Sequence, residues 1–412
     1  MKIDVKIGTE TLHVSWNEPL NHCNQQYFEI DYGVDLSATP KHVLNFMVGI
    51  LLSEHFAWNQ RAVIFDELTE AELACIKFHV EMNFARNLRD RSGPWSSVIL
   101  VDRIVEQEVP EDDGPVLCAN GMGKDGLALI AMADRLDVDI RCFTFHGQYR
   151  TEDLWNERIT TSKKVYDLFD VPFNLPKTNY WALATYSLVP FWVMALPLAY
   201  HYRSPVILAN IPIGRSVVEH DHLFSPNDSI FSLAQLSKAT GVEFSSWMLP
   251  IHVAGTCKLM WALWPDLLPY QRTCHQGTPW CNRCKNCYRL SLYYTALGAD
   301  TRLFGLRPFD SSMLTERVYE GSAYNPVMNA YKRLRGEPYD EFIFQAAEPT
   351  FEFMWMGNEI RQLLKEALGT YSEDQGPDKL GFSYHVSKWR KWIDTERFDW
   401  TINYSPLKRR SL

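Results

Sequence analysis

Four cysteines, Cys274, Cys281, Cys284 and Cys287, fall inside the segment TCHQGTPWCNRCKNC, and no other feature of the chain constrains its fold so tightly. Thiolates two residues apart can wrap one soft cation, and tetrahedral zinc takes four such ligands at about 2.3 Å. Gly277 and Pro279 let the chain turn sharply between them, while Arg283 and Lys285 offset thiolate charge. Four cysteines leave no open coordination position for water, so the expected zinc is structural. Two disulfides or four free thiols are the competing readings. The other five cysteines, Cys23, Cys75, Cys118, Cys142 and Cys257, are scattered as reduced intracellular thiols would be. That pattern argues against disulfides and for a cytoplasmic protein.

At 412 residues, with 46% apolar and 13% aromatic residues, the chain can bury cores for two or three domains. Its formal net charge of -9 argues against a dedicated nucleic-acid binder, which would be basic. The first residues, MKIDVKIGTETLHV, contain no apolar signal-peptide core. Tyr180 to Tyr200 carries no charge and is long enough for a membrane span, but Pro190 and Pro197 interrupt it. We therefore expect it buried against a sheet, with no membrane partner.

Residues 1–110 read as an α+β accessory module. Ile3, Val5, Ile7 and then Leu12, Val14, Trp16 alternate as short strands do. Thr39-Pro40 reads as an N-cap and first helical position ahead of Val43, Phe46, Met47 and Ile50, and a second helix is expected over Glu67 to Asn87. The acidic stretch Glu106 to Pro115 reads as a linker. Residues 111–300 then alternate strand and helix. Strands are expected at Val116–Cys118, Asp139–Phe145 and Pro205–Asn210, and helices at Lys124–Leu136, Glu152–Phe169 and Tyr288–Leu297. That rhythm indicates βαβ units and a parallel sheet. Residues 301–412 read as a helical extension rich in tryptophan, with Trp355, Trp389, Trp392 and Trp400; core or interface packing is the expected role of Trp389 and Trp392.

The turn Asn120-Gly121-Met122-Gly123-Lys124-Asp125-Gly126 sits between an expected strand and an expected helix. Glycines there let backbone N–H groups approach an anion, and the helix N-terminus favours negative charge. The spacing is not that of a Walker loop, and an ordinary βα turn is the alternative.

Taken with its neighbours, the loop resembles the SGGxDS pyrophosphatase loop of the N-type ATP pyrophosphatases. Cys142-Phe143-Thr144-Phe145-His146-Gly147-Gln148 is similar to the CVTFDYGQ stretch of that superfamily's 7-cyano-7-deazaguanine synthase (QueC) branch, and Tyr149 to Glu157 continues in register. Val189-Pro190 stands where the branch begins its VPGRN helix. Lys258 with Trp261 to Leu263 is similar to TKAETWAL, and the four cysteines followed by Arg289 match its zinc signature. The resemblance covers roughly residues 115–300. Departures are evident: Gly121, Met122 and Gly126 replace the first serine, first glycine and last serine, and Phe191-Trp192-Val193 replaces Gly-Arg-Asn.

The resemblance implies a Rossmann-like parallel sheet of the adenine nucleotide α-hydrolase type, joined to a four-cysteine zinc subdomain. It implies ATP and Mg2+ as cosubstrate and cofactor. Gly121, Gly123, Lys124 and Asp125 would contact pyrophosphate, with Lys124 and Asp125 catalytic. Phe145, Gly147 and Gln148 would line the nucleotide pocket, and Lys258 would reach a phosphate unless it is a solvated surface lysine. His220-Asp221-His222, after the strand Pro205–Asn210, would contact a 7-deazaguanine carboxylate unless they form an ordinary polar loop. Activation of that acid by adenylation would precede transfer to a nitrogen. The added residues 1–110 and 301–412 favour a protein amine as acceptor, in a QueC-like protein of the kind that serves anti-phage defence. The alternatives are nitrile synthesis from ammonia, tRNA modification, and a nucleotide-binding scaffold that has lost catalysis.

Overall fold

A computed structural model describes residues 1–18, 20, 25–59, 62–87, 98–146, 151–183, 189–210, 230–274, 276–277, 279–311, 326–339, 341–348, 351 and 354–371. At its centre is a five-stranded sheet in which every neighbouring pair is parallel. In space the strands run Glu243–Ser245, Val206–Leu208, Val116–Ala119, Ile140–Phe143, Phe173–Asn174. Numbered along the chain this order is 5-4-1-2-3, so the winding reverses between the first strand and the fourth.

Both sheet faces are buried, as a parallel sheet requires. The strand Val116–Ala119 shows why, because all four of its residues are buried and they alternate between two cores. Val116 and Cys118 join Ile140, Cys142, Val206 and Leu208 in a core shared with residues 247–371. Leu117 and Ala119 join Phe143 and Ile207 in a core shared with residues 3–99. The crossover helices Lys124–Arg135 and Glu152–Leu168 pack into the first core, and Ile230–Thr240 packs into the second. The chain is therefore α/β, with the sheet sandwiched between amino- and carboxyl-terminal material.

In the amino-terminal region, Ile3–Ile7 and Thr11–Trp16 are strands, as their alternation predicts, and with Tyr27–Asp31, which was not expected, they form an antiparallel meander. Lys177–Thr178 adds a fourth strand from the middle of the chain. A further parallel pair, Ala62–Leu68 with Val98–Ile104, was not expected. It shortens the second predicted helix, which runs Glu70–Asn87 rather than from Glu67. A capping box sets that start: the Thr69 N–H donates to Glu72 Oε2 at 2.7 Å and the Glu72 N–H to Thr69 Oγ1 at 3.1 Å. The helix Lys41–Leu51 is capped by Pro40 with no side-chain bond, so Thr39 is not its N-cap. The stretch 106–115 is irregular but tied down: the Gly114 N–H donates to Arg203 O at 3.0 Å, and Arg203 pairs with Glu111 at 2.8 Å.

The uncharged stretch forms the 3-10 turn Tyr180–Ala182 and the short helices Val189–Val193 and Leu196–Tyr202. Among the described residues no helix is long and apolar enough to cross a membrane. Beyond residue 300, the helices Pro326–Leu334 and Gly357–Leu368 pack beside a two-stranded sheet, Ala346–Ala347 with Thr370–Tyr371. Trp389, Trp392 and Trp400 lie outside the described residues.

Candidate functional site

The loop 120–123 leaves the carboxyl end of the first sheet strand, beside the point where the strand order reverses. Ligands of open α/β sheets bind in the crevice at such a point. Asn120 organises the turn: its Oδ1 accepts the Met122 N–H at 2.8 Å. Met122 takes φ 56°, the left-handed region where a glycine would be free of strain. Gly123 caps the helix Lys124–Arg135 with no side-chain bond. The N-terminal N–H groups and dipole of that helix suit an anion.

Two glycines have opposite reasons for being there. A Cβ on Gly126 would lie 2.3 Å from Asn120 Oδ1, so the carboxamide that holds the turn fills the space where a serine would stand. Among the described residues, a Cβ on Gly123 would meet only Thr273 Oγ1, at 3.9 Å. Packing leaves residue 123 room for a side chain, and that room is what an approaching phosphate needs.

Lys124 and Asp125 are brought to the same spot. The Lys124 ammonium, 5% exposed as a residue, donates to Asp125 Oδ2 at 2.6 Å. Thr256 Oγ1 donates to Asp125 Oδ1 at 2.9 Å. Beside them, His252 caps the helix Val253–Leu263 by accepting the Ala254 N–H on Nδ1 at 3.1 Å. Its buried Nε2 has no hydrogen-bond partner among the described residues. Burial, with the Lys124 and Arg289 charges nearby, pushes His252 down to about 3, so it is neutral at pH 7.

The cysteines meet as their spacing predicts. Their four sulfurs lie within 4.8 Å of one another, with Cys281–Cys287 at 3.8 Å and Cys274–Cys284 at 3.9 Å. Four sulfurs about 2.3 Å from a tetrahedral zinc are about 3.8 Å apart, so the donor set fits that ion. The Cys274 thiol is held far below its usual range by hydrogen bonds from Cys284 and Cys287 and from the Gln276 and Cys281 N–H groups. The same sulfur contacts push Cys287 far up. Four thiolates this close repel one another unless a cation sits among them.

Other expected residues fall elsewhere. Phe145 is fully buried, with its ring against Tyr32, Phe143 and Phe191, so it is a core residue and not the wall of an open pocket. Lys258 donates to Leu368 O at 3.1 Å and lies 3.9 Å from Glu341. Two residues along a helix turn about 200°, so with Thr256 facing the loop Lys258 faces the carboxyl-terminal segment. Gly147, Gln148, His220, Asp221 and His222 lie outside the described residues.

Nothing in the sequence singles out Arg158. This residue is 4% exposed and donates to Gly121 O at 2.9 Å and to Cys274 O at 2.5 Å. The Arg272 N–H donates to Met122 O at 2.7 Å, and the Lys124 N–H to Thr273 Oγ1 at 3.4 Å. Loop and cysteine cluster are thus one assembly. His252 was missed as well, because histidine is not among the residues whose presence signals a helix N-cap. The chain matches no known family model, no curated protein and no solved structure.

Proposed function

We propose that the chain is an AMP-forming ATP pyrophosphatase of the QueC type, built on a Rossmann-like core with structural zinc at Cys274, Cys281, Cys284 and Cys287. The observation that carries this reading is the open backbone at Gly123, the N-cap of a helix that starts at the sheet's reversal point. A polyphosphate fits there by charge and by space. The substituted loop also keeps an internal tie, because Asn120 does the holding that the missing hydroxyls would do.

In this reading a carboxylate oxygen of a 7-deazaguanine acid attacks the α-phosphorus of ATP. The bond from that phosphorus to the bridging oxygen breaks, and pyrophosphate leaves with the electron pair. Loop N–H groups and Lys124 stabilise the leaving charge. Mg2+ near Asp125 would neutralise phosphate oxygens. A nitrogen nucleophile then attacks the acyl carbon and AMP departs. The favoured acceptor is a protein amine in an anti-phage defence system, and the long terminal regions are what favour it over ammonia. In this scheme His220, Asp221 and His222, which follow the strand Val206–Leu208 in sequence, would contact the acid.

The test is nucleotide chromatography after incubation with ATP and Mg2+, with and without 7-carboxy-7-deazaguanine. Acid-dependent AMP supports the reading; ATP hydrolysis indifferent to the acid contradicts it. Efficient nitrile formation from ammonia, with no protein acceptor present, contradicts the acceptor assignment alone. One observation favours a scaffold that binds nucleotide without catalysis: Phe145 is packed in the core and Lys258 is bonded to Leu368 O. That reading predicts ATP binding with no AMP under any condition.

A further inference from the structure

We propose that Arg158 is a positioning residue through which metal at the four cysteines sets the anion affinity of the loop 120–123. The inference rests on the polyphosphate reading of that loop. Residues 271–274 run between the two sites and are held from both sides. Arg158 is the clamp. One arm of its buried guanidinium holds Gly121 O at 2.9 Å, and the other holds Cys274 O at 2.5 Å, on the first metal ligand. Arg272, two residues before that ligand, holds Met122 O through its N–H at 2.7 Å. Its side chain is fixed in turn on Glu157 Oε1 at 2.5 Å, next to Arg158 in sequence.

These contacts bear on anion binding through peptide geometry. In a trans peptide the C=O and the following N–H point in opposite directions. Drawing Met122 O onto Arg272 therefore turns the Gly123 N–H the other way, off the side occupied by the cysteine segment. Met122 has a left-handed backbone, which strains a residue other than glycine, so the turn needs outside support to keep its shape. When a cation draws the four sulfurs together, Cys274 and residues 271–273 are fixed, and Arg158 passes that constraint to Gly121. Without the cation the four thiol groups lose their common partner and the clamp has one firm jaw. Linkage makes the effect mutual: whatever metal does for anion affinity, the anion does for metal affinity.

The experiment is a calorimetric titration of inorganic pyrophosphate into zinc-loaded and chelator-stripped protein, as wild type and as Arg158→Lys. Lysine keeps the charge but cannot span two carbonyls. Stripping is expected to weaken pyrophosphate about tenfold in wild type and less than twofold in Arg158→Lys. Equal weakening in both overturns the clamp. Tight binding with no metal dependence overturns the linkage and leaves the loop reading standing. No binding in any state overturns the loop reading and this inference with it. A second measurement uses only folded wild type with Co2+ in place of zinc. Pyrophosphate is expected to shift the cobalt–thiolate absorption bands; an unchanged spectrum at saturating pyrophosphate contradicts the linkage even if Arg158→Lys fails to fold.

Discussion

Asn120 and Gly126 should behave as one unit. A methyl group on residue 126 would lie 2.3 Å from Asn120 Oδ1 and 3.1 Å from its Cγ, both inside contact distance. Gly126→Ala must therefore swing the Asn120 side chain away, and that breaks the bond to the Met122 N–H. Leaving a buried N–H without a partner costs about 1–3 kcal/mol. Forcing a methyl into a filled site adds about 1–3 kcal/mol. Against these, alanine gains up to about 1 kcal/mol over glycine in a helix. The net expectation for Gly126→Ala is a loss of about 1–6 kcal/mol. Asn120→Ala should lose about 1–3 kcal/mol through the same orphaned N–H. In the double variant the clash has gone, since the next atom, Asn120 Cα, is 3.6 Å away. The double should be no less stable than Asn120→Ala alone, so the two single changes depart from additivity by at least the whole Gly126→Ala loss, about 1 kcal/mol or more. Urea unfolding of the four proteins closes this cycle. Additivity within about 0.5 kcal/mol would refute the idea that the carboxamide fills the serine's space.

Cys287→Ser should bring bound zinc, measured by elemental analysis, from one ion per chain towards none, with a lower melting temperature; full zinc retention would contradict the four-thiolate site. His79 is fully buried and pushed down to about 4 by burial. The unfolded chain binds a proton near pH 6.5 that the fold excludes, so this contribution is intact above pH 6.5 and lost as pH falls toward 4. Replacing it with His79→Gln should flatten the acid limb of a stability–pH curve, recovering about 3 kcal/mol at pH 4 relative to neutral; an unchanged slope would contradict the assignment. Glu243 has the opposite sign. Burial raises it to about 7, so stability present below pH 4.5 is lost as pH rises through 7. Glu243→Gln should therefore stabilise the protein at pH 8 and not at pH 4.5, read by thermal melts at both. Lys258→Ala should leave pyrophosphate affinity within about twofold while costing about 0.5–1.5 kcal/mol of stability through the lost bond to Leu368 O.

Three of the five central strands could be read from sequence because they are short apolar runs, and the four cysteines because all lie in one local segment; Phe173–Asn174 and Glu243–Ser245, only two and three residues long, were not. The pair Ala62–Leu68 and Val98–Ile104 was not legible. Asp66, Glu67, Asp102 and Arg103 break its apolar pattern, and the glutamate reads as part of the helix that follows. Lys258 misled for a geometric reason, since a family-like segment fixes register along a helix but not which face meets the loop. Arg158 left no local trace, because its partners lie 37 and 116 residues away in sequence. The loop's unusual residues became intelligible only in three dimensions, where Asn120 and Gly126 exchange space.

The most direct test of the central claim is pyrophosphate binding by Gly123→Ala, followed by calorimetry beside wild type. Among the described residues the added Cβ meets only Thr273 Oγ1, at 3.9 Å, so the melting temperature should barely move, apart from a capping loss below about 1 kcal/mol. If the loop cradles phosphate, that methyl occupies the ligand's place, and affinity should fall at least about tenfold, near 1.4 kcal/mol. Undiminished pyrophosphate affinity in a normally folded Gly123→Ala protein would contradict the account.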